Sequence, residues 1–304
     1  MKKLNIIMTG GTSGFGAVTS KELMTTLGTK MILGNRKSQI QGAMHIPLNL
    51  ESLDNVRLFA AEVVKYIKSE KIHILICNAG MNHPDINSRT VDGFESTFAV
   101  NHLAHFYLLK LLMPYLDTNA RIIMTTSGTH NPDENALSAP PVHANAIWLA
   151  HPEKDTTLDV KMTINAQRAY AASKLCTILT IRQLANSKEA KQNNWQCIAY
   201  DPGPTPGTGL LQKGTIFMRI AWQVFTIPFL RKRILPKSNS IKDAGLSLAS
   251  LALGKVKVPE GKVYVALRAG KLTFPAPSKL AQDNSLMVAL WEQSEQLLQD
   301  AKFT

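Results

Sequence analysis

Cysteine is scarce: the 304 residues hold three, Cys77, Cys176 and Cys197, with no C-x-x-C spacing. That scarcity excludes a disulfide framework and a zinc site, leaves no metal-ligand set, and points to a reducing, cytoplasmic setting. No stretch of about 20 uninterrupted apolar residues exists, so no membrane-spanning helix is expected. Met1-Lys2-Lys3 imitates the start of a signal peptide, but the apolar run from Leu4 to Met8 is too short and is broken by Asn5. Acidic residues are the under-represented charge, 22 against 34 Lys and Arg, for a formal net charge of +12. A basic surface of this kind attracts a phosphorylated cofactor, a nucleic acid or an anionic membrane. No zinc-finger or RNP-type sequence accompanies the charge, so nucleic-acid binding is not expected. Internal repeats, low-complexity tracts and linkers are also missing, and the whole of residues 1–304 reads as one domain.

What is present is strand–helix alternation from end to end, the pattern of an α/β protein with a doubly wound parallel sheet. The first strand runs straight into Thr9-Gly10-Gly11-Thr12-Ser13-Gly14-Phe15-Gly16, and a helical pattern follows with Val18, Leu23 and Leu27 inward. Strand, glycine-rich turn and helix together aim backbone N–H groups at a phosphate. The second strand ends at Asn35-Arg36-Lys37, and no Asp or Glu occurs between Met31 and Leu50. A basic residue at that place accommodates a 2′-phosphate, so NADP(H) is expected ahead of NAD(H). The third strand, residues 45–48, ends at Asn49-Leu50. The fourth, residues 72–77, ends at Asn78-Ala79-Gly80, small residues past which a cofactor could run.

Residues 94–116 read as one long helix containing Asn101, His102 and His105. A polar Asn in mid-helix is either a surface residue or one that bends the helix and holds a relay water. The fifth strand, residues 121–125, delivers Ser127 at its carboxyl end, where ligands of open α/β sheets bind. An irregular insert of about residues 130–164 follows, apolar at Leu137, Val142, Ile147, Trp148, Leu149 and Leu158. Inserts of this length are uncommon and usually functional. Tyr170-Ala171-Ala172-Ser173-Lys174 comes next, on a helix to about residue 185. Four residues make about one turn, so Tyr170 and Lys174 share a face, and an ammonium there should lower the phenol pKa for proton transfer. A sixth strand, residues 196–200, leads to Asp201-Pro202-Gly203-Pro204. Residues 209–238 read as a substrate lid or, with Phe217 to Leu230 beside Arg231-Lys232-Arg233, as a peripheral membrane contact. Pro228 and Arg219 argue against a span. A helix over 240–253, a last strand over 262–266 and a terminal helix over 278–299 complete the reading.

These motifs, in this order, resemble the short-chain dehydrogenase/reductase family, with specific likeness over about residues 4–208. Thr9 to Gly16 is similar to its T-G-x-x-x-G-x-G, Asn78-Ala79-Gly80 to its N-A-G, Tyr170 to Lys174 to its Y-x-x-x-K, and Pro202-Gly203 to its P-G. Asn101 and Ser127 stand where the family carries its catalytic asparagine and serine. Within the family the chain looks most like the retinol dehydrogenase and light-dependent protochlorophyllide reductase branch, through Val100 to Phe106, Ala139 to Asn145 and Leu290 to Glu295. It departs from the protochlorophyllide reductases at Pro204, where they carry cysteine, and at Gly80, where they carry alanine. Asn49 stands where the family often has an adenine-contacting Asp. The resemblance implies a Rossmann-type fold and an NADP(H)-dependent enzyme interconverting an alcohol and a carbonyl on an apolar small molecule. Tyr170 would be the acid/base, Lys174 its helper and a ribose ligand, Ser127 the substrate-oxygen donor and Asn101 the relay anchor. Gly10, Thr12, Ser13, Gly14, Phe15, Gly16, Arg36, Asn49, Leu50, Asn78, Ala79, Gly80, Tyr170, Lys174, Pro202, Gly203 and Thr208 would line the cofactor. A homodimer is a further expectation, and a C=C-reducing ene-reductase or a catalytically silent NADP(H)-binding sensor or scaffold is the alternative to this activity.

Overall fold

The computed structural model describes residues 4–36, 39–134, 138–207 and 238–301. Lys37, Leu137, Thr208 and the expected lid or membrane segment, apart from its last residue, Ser238, lie outside the described residues.

Strand β1 (Leu4–Thr9) is buried from Asn5 onward. Apart from Asn5 and Thr9 it is apolar, because helices cover both its faces. Helix α1 (Gly14–Met24) leads to β2 (Thr29–Asn35) and β3 (Met44–Pro47), then α2 (Leu53–Ile67) leads back to β4 (Ile72–Cys77). β5 (Leu116–Thr125), β6 (Gln196–Asp201), β7 (Tyr264–Arg268) and β8 (Lys271–Thr273) extend the sheet on the other side. The spatial order is β3-β2-β1-β4-β5-β6-β7-β8. All pairs are parallel except β7 with β8. The chain therefore reverses direction between β1 and β4, and such a switch point opens a ligand crevice at the carboxyl ends of the strands.

Helices α3 (Ser96–Phe98), α4 (Ala104–Leu112), α5 (Ala146–Ala150) and α6 (Met162–Asn186) follow in order. A short α7 (Lys188–Gln192), then α8 (Ile241–Ala252), α9 (Lys279–Gln282) and α10 (Asn284–Asp300) complete the described helices. One core layer joins α2, α4, α6 and α10 to one sheet face through Val56, Phe59, Leu108, Leu175, Ile178 and Leu290. The other joins α1 and α8 to the opposite face through Leu23, Leu248, Ile6, Leu33 and Tyr200.

Several expected boundaries change. The single helix over 94–116 is instead α3, a π-helical turn (Ala99–Leu103), α4 and a 3₁₀ turn (Met113–Tyr115). Asn101 lies inside the π turn, and its side chain bonds the Met81 backbone. Leu27, expected inward, is 74% exposed because α1 ends at Met24 before the face can continue. The insert is not wholly irregular: it holds α5, and α6 starts at Met162, which shortens it. The tail divides at Asp283, whose carboxylate caps α10 by accepting from Ser285 N at 2.7 Å and Leu286 N at 3.1 Å. The last strand lies slightly later than expected, and β8 was not foreseen.

Candidate active site

β1 passes to α1 through a turn whose glycines are fixed by close approach. Gly10 has φ +64°, and a Cβ there would lie 2.7 Å from the Ala79 backbone. A Cβ on Gly16 would lie 2.0 Å from the Gly10 carbonyl oxygen. Neither place admits a side chain. Ser13 precedes α1 as its N-cap, yet its side chain makes no cap bond, and the first turn, from Gly14 through Phe15, carries no acidic residue. The first N–H groups and the positive end of the helix dipole are thus left for an anion. Thr12 is half-buried beside them.

The turn is cross-linked to its neighbours. Thr9 Oγ1 accepts the N–H groups of Asn78 at 3.0 Å and Ala79 at 3.1 Å. Asn78 Nδ2 donates to Gly10 O at 2.9 Å, and Thr125 Oγ1 donates to Asn78 Oδ1 at 2.9 Å. Arg36 directly follows β2 and is exposed. Asn49 follows β3, and its side-chain oxygen accepts Glu51 N at 3.2 Å, while Leu50 is buried. After β6, Pro202 leads to Gly203 at φ +65°, where a Cβ would lie 2.6 Å from Leu267 O. Thr208 lies outside the described residues.

Asn101, Ser127, Tyr170 and Lys174 come together at the carboxyl ends of β4 and β5. Gly80 touches two of them: a Cβ there would stand 3.3 Å from Asn101 Oδ1 and 3.4 Å from Lys174 Nζ. Asn101 donates to Met81 O at 2.8 Å and Ser173 Oγ at 3.0 Å, and Ser173 Oγ donates to Tyr170 O at 2.7 Å. The Ser127 side chain faces the Tyr170 phenol closely enough to favour its charged form. Lys174 Nζ donates to Thr125 O at 3.1 Å and stands 5.8 Å from the Tyr170 ring centroid. Burial lowers the Lys174 ammonium to about 8, opposed by the Asp201 carboxylate. The expected lowering of the Tyr170 phenol does not occur. Burial pushes it up, the Ser127 side chain opposes that, and Asp201 adds to the rise. The desolvation that weakens the lysine's charge also penalises the phenolate, so sharing a helix face is not enough.

Val142, Trp148, Leu149 and Leu158 of the insert line a cavity of about 30 Å³ with Ala169 and Ala172 of α6. Sequence reasoning missed a charged cluster beneath Ser127. Arg268 Nη2 donates to Asp201 Oδ2 at 2.7 Å and also binds Glu134, while Tyr264 OH donates to the same Asp201 oxygen at 2.7 Å. His130 Nδ1 donates to Ser127 O at 2.7 Å, and its ring meets Tyr264 edge-on. His105, noted only as a helix residue, bonds both Thr9 and Asn101, and its i, i+4 spacing from Asn101 was the available signal.

Residues 4–138 match the family profile described as short chain dehydrogenase. Protochlorophyllide reductase B, chloroplastic, of Oryza sativa subsp. japonica is 27% identical over 98% of this chain and 78% of its own. The WW domain-containing oxidoreductase of Danio rerio is 29% identical over 97% of this chain and 68% of its own. Among solved structures, 3-ketoacyl-(acyl-carrier-protein) reductase from Brucella melitensis complexed with NADH superposes with a TM-score of 0.59. That match covers 88% of this chain and 97% of that one at 18% identity, a likeness of fold. Sheet order, the ordered turns at the strand ends, the profile over residues 4–138 and relatives 27–29% identical across nearly all of this chain agree in likening it to the short-chain dehydrogenases and reductases.

Proposed function

We propose that the chain is an NADP(H)-dependent oxidoreductase that interconverts an alcohol and a carbonyl on an apolar small molecule. The observation that carries this reading is the buried Tyr170 phenol with the half-buried Ser127 hydroxyl facing it and the buried Lys174 beside it. A carbonyl oxygen placed against both hydroxyls would accept a hydrogen bond from Ser127 and a proton from Tyr170 as charge develops on it. Lys174 would steady the phenolate left behind, and Asn101, tied to Met81 and Ser173, would fix the floor of the site. When bound, the nicotinamide supplies the hydride. The glycine cradle at Gly10 and Gly16, the α1 N-terminus and the exposed Arg36 fit a dinucleotide carrying a 2′-phosphate. Three buried thiols suit a reducing, cytoplasmic setting.

Oxidation of NADPH across a panel of carbonyls and enones tests the reading. Tyr170→Phe should keep NADPH binding and lose carbonyl reduction by about a hundredfold or more. Near wild-type turnover in that variant would overturn the mechanism. A second reading, reduction of a C=C bond, is favoured by the protochlorophyllide reductases among the relatives. Turnover of enones at the alkene, without carbonyl reduction, would select it. NADPH binding with no turnover on the panel would select a silent sensor. Arg36→Ala should erase a preference for NADPH over NADH in fluorescence titrations, and equal affinities in the wild type would remove the 2′-phosphate assignment.

A further inference from the structure

His105 is fully buried between the two segments that meet at the site, and its hydrogen bonds define which ring nitrogen carries the proton. Nε2 lies 2.9 Å from Thr9 Oγ1, and Nδ1 lies 3.3 Å from the Asn101 main-chain oxygen. Thr9 Oγ1 already accepts the N–H groups of Asn78 and Ala79. A hydroxyl has two acceptor sites and one proton, so with both sites taken its proton goes to His105 Nε2. Nε2 is then the acceptor, and Nδ1 holds the ring proton and donates it to Asn101 O. The buried ring stays neutral, with its pKa lowered to about 4 by desolvation.

The result is one directed chain: the Asn78 and Ala79 amides donate to Thr9, Thr9 donates to His105, and His105 donates to the Asn101 carbonyl. It ties the end of β1 and the N-A-G turn after β4, already neighbours through the Thr9–Cys77 pairing, to the π turn. A π turn displaces carbonyls from the regular i−4 ladder. Here the Ala104 N–H goes back to Ala99 O, five residues earlier. A side-chain donor at Asn101 O therefore holds that carbonyl where the helix geometry is least constrained.

We propose that His105, with its proton on Nδ1, is a positioning residue that locks the Asn78–Ala79 turn and the Asn101 carbonyl in a single arrangement through Thr9. The relevance of that lock to turnover rests on the dinucleotide reading above, but the lock itself exists in the free protein and is tested there. Two substitutions separate its halves. In His105→Gln the side-chain oxygen reaches the Nε2 position and can accept from Thr9, whereas nothing donates from the Nδ1 position. In His105→Asn the amide nitrogen takes the Nδ1 position and can donate to Asn101 O, whereas nothing reaches Thr9.

The measurements are ¹⁵N NMR of the wild-type ring, amide exchange at Asn78 and Ala79, the Asn101 carbonyl ¹³C shift, and NADPH titration. The wild-type ring should show the proton on Nδ1. His105→Asn should speed exchange at Asn78 and Ala79 by about fivefold or more and weaken NADPH by a similar factor, the scale of one lost neutral hydrogen bond. His105→Gln should leave that exchange near wild type and shift the Asn101 carbonyl resonance. A ring proton on Nε2, or the same pattern in both variants, would overturn the proposal. A wild-type protein that does not bind NADPH would overturn the function proposed above while leaving the NMR and exchange results to judge His105.

Discussion

Glu95 has no solvent exposure, and its carboxylate accepts Thr97 N at 2.8 Å and Phe98 N at 2.7 Å. It thereby caps the helix whose next turn carries Asn101. Those two donors favour the charged form, but burial outweighs them and raises the carboxyl to about 7. The unfolded chain releases this proton near the ordinary 4.5, so between those values the native state binds more protons than the unfolded one. Its contribution to stability must fall as pH rises from 4.5 to 7 and stay level above, a loss of about 3 kcal/mol across the window. His102 and His105 work in the opposite direction. Burial lowers them to about 3 and about 4, so their stabilising contribution is lost as pH falls below the ordinary 6.5. Glu95→Gln keeps one of the two cap acceptors and removes the ionisation, so the lost cap bond is a constant offset while the pH-dependent loss disappears. Urea midpoints from pH 5 to 8 should show the variant gaining on the wild type as pH rises. Parallel curves would mean that Glu95 ionises normally in place.

The contact between α1 and α8 shows how an element on one face serves a site on the edge. Gly245 of α8 lies so close to α1 that a Cβ would stand 2.5 Å from Val18 Cβ and 2.6 Å from Phe15 O. Thr19 Oγ1 donates to both Phe15 O and Gly245 O at 3.0 Å, clamping the first turns of α1. Gly245→Ala should push α1 off its seat, costing about 1–3 kcal/mol as overpacking does, and weaken NADPH because the same turns face the cofactor cradle. Denaturation and NADPH titration together test this, and unchanged cofactor affinity in a destabilised variant would separate packing from the site. The strands β1, β4 and β6 were legible because burial on both faces keeps them mostly apolar, with few polar residues between strand ends. The glycine turn was legible because only glycine fits its contacts. The π turn was not, since a hydrophobic period near 3.6 continues through it, and β8 is too short at Lys271–Thr273 to leave a pattern. The pairing of Asn101 with Met81 and of Tyr170 with Ser127 depends on which strands become neighbours, which no local window contains.

Across the whole molecule, side chains far apart in sequence hold the insert and the tail to the site. His102 Nε2 meets Ser294 Oγ at 2.9 Å, Lys110 pairs with Glu295 at 2.6 Å, and Ala146 N donates to Gln293 Oε1 at 2.8 Å. In this way α10 fastens the π turn, α4 and α5 at once. The charged cluster does the same from the other side: Arg268 lies 67 positions from Asp201 and 134 from Glu134, separations that composition and spacing cannot reveal. Asp201 is fully buried, the Arg268 side chain is 17% exposed, and the pair presses against Gly128, next to Ser127. A buried pair adds little over an apolar replacement, but losing one partner strands the other charge, at a cost of about 3–5 kcal/mol. Arg268→Met should therefore destabilise strongly, because Asp201 keeps a desolvated carboxylate with, among the described residues, Tyr264 OH and Gly203 N left to solvate it. Adding Asp201→Asn to that variant should recover much of the loss, while Glu134→Gln, whose side chain is more exposed, should cost far less. Urea midpoints of the three variants give the order directly. If the double variant is no more stable than Arg268→Met, packing of the arginine stem, and not the stranded charge, is what holds the insert beside Ser127.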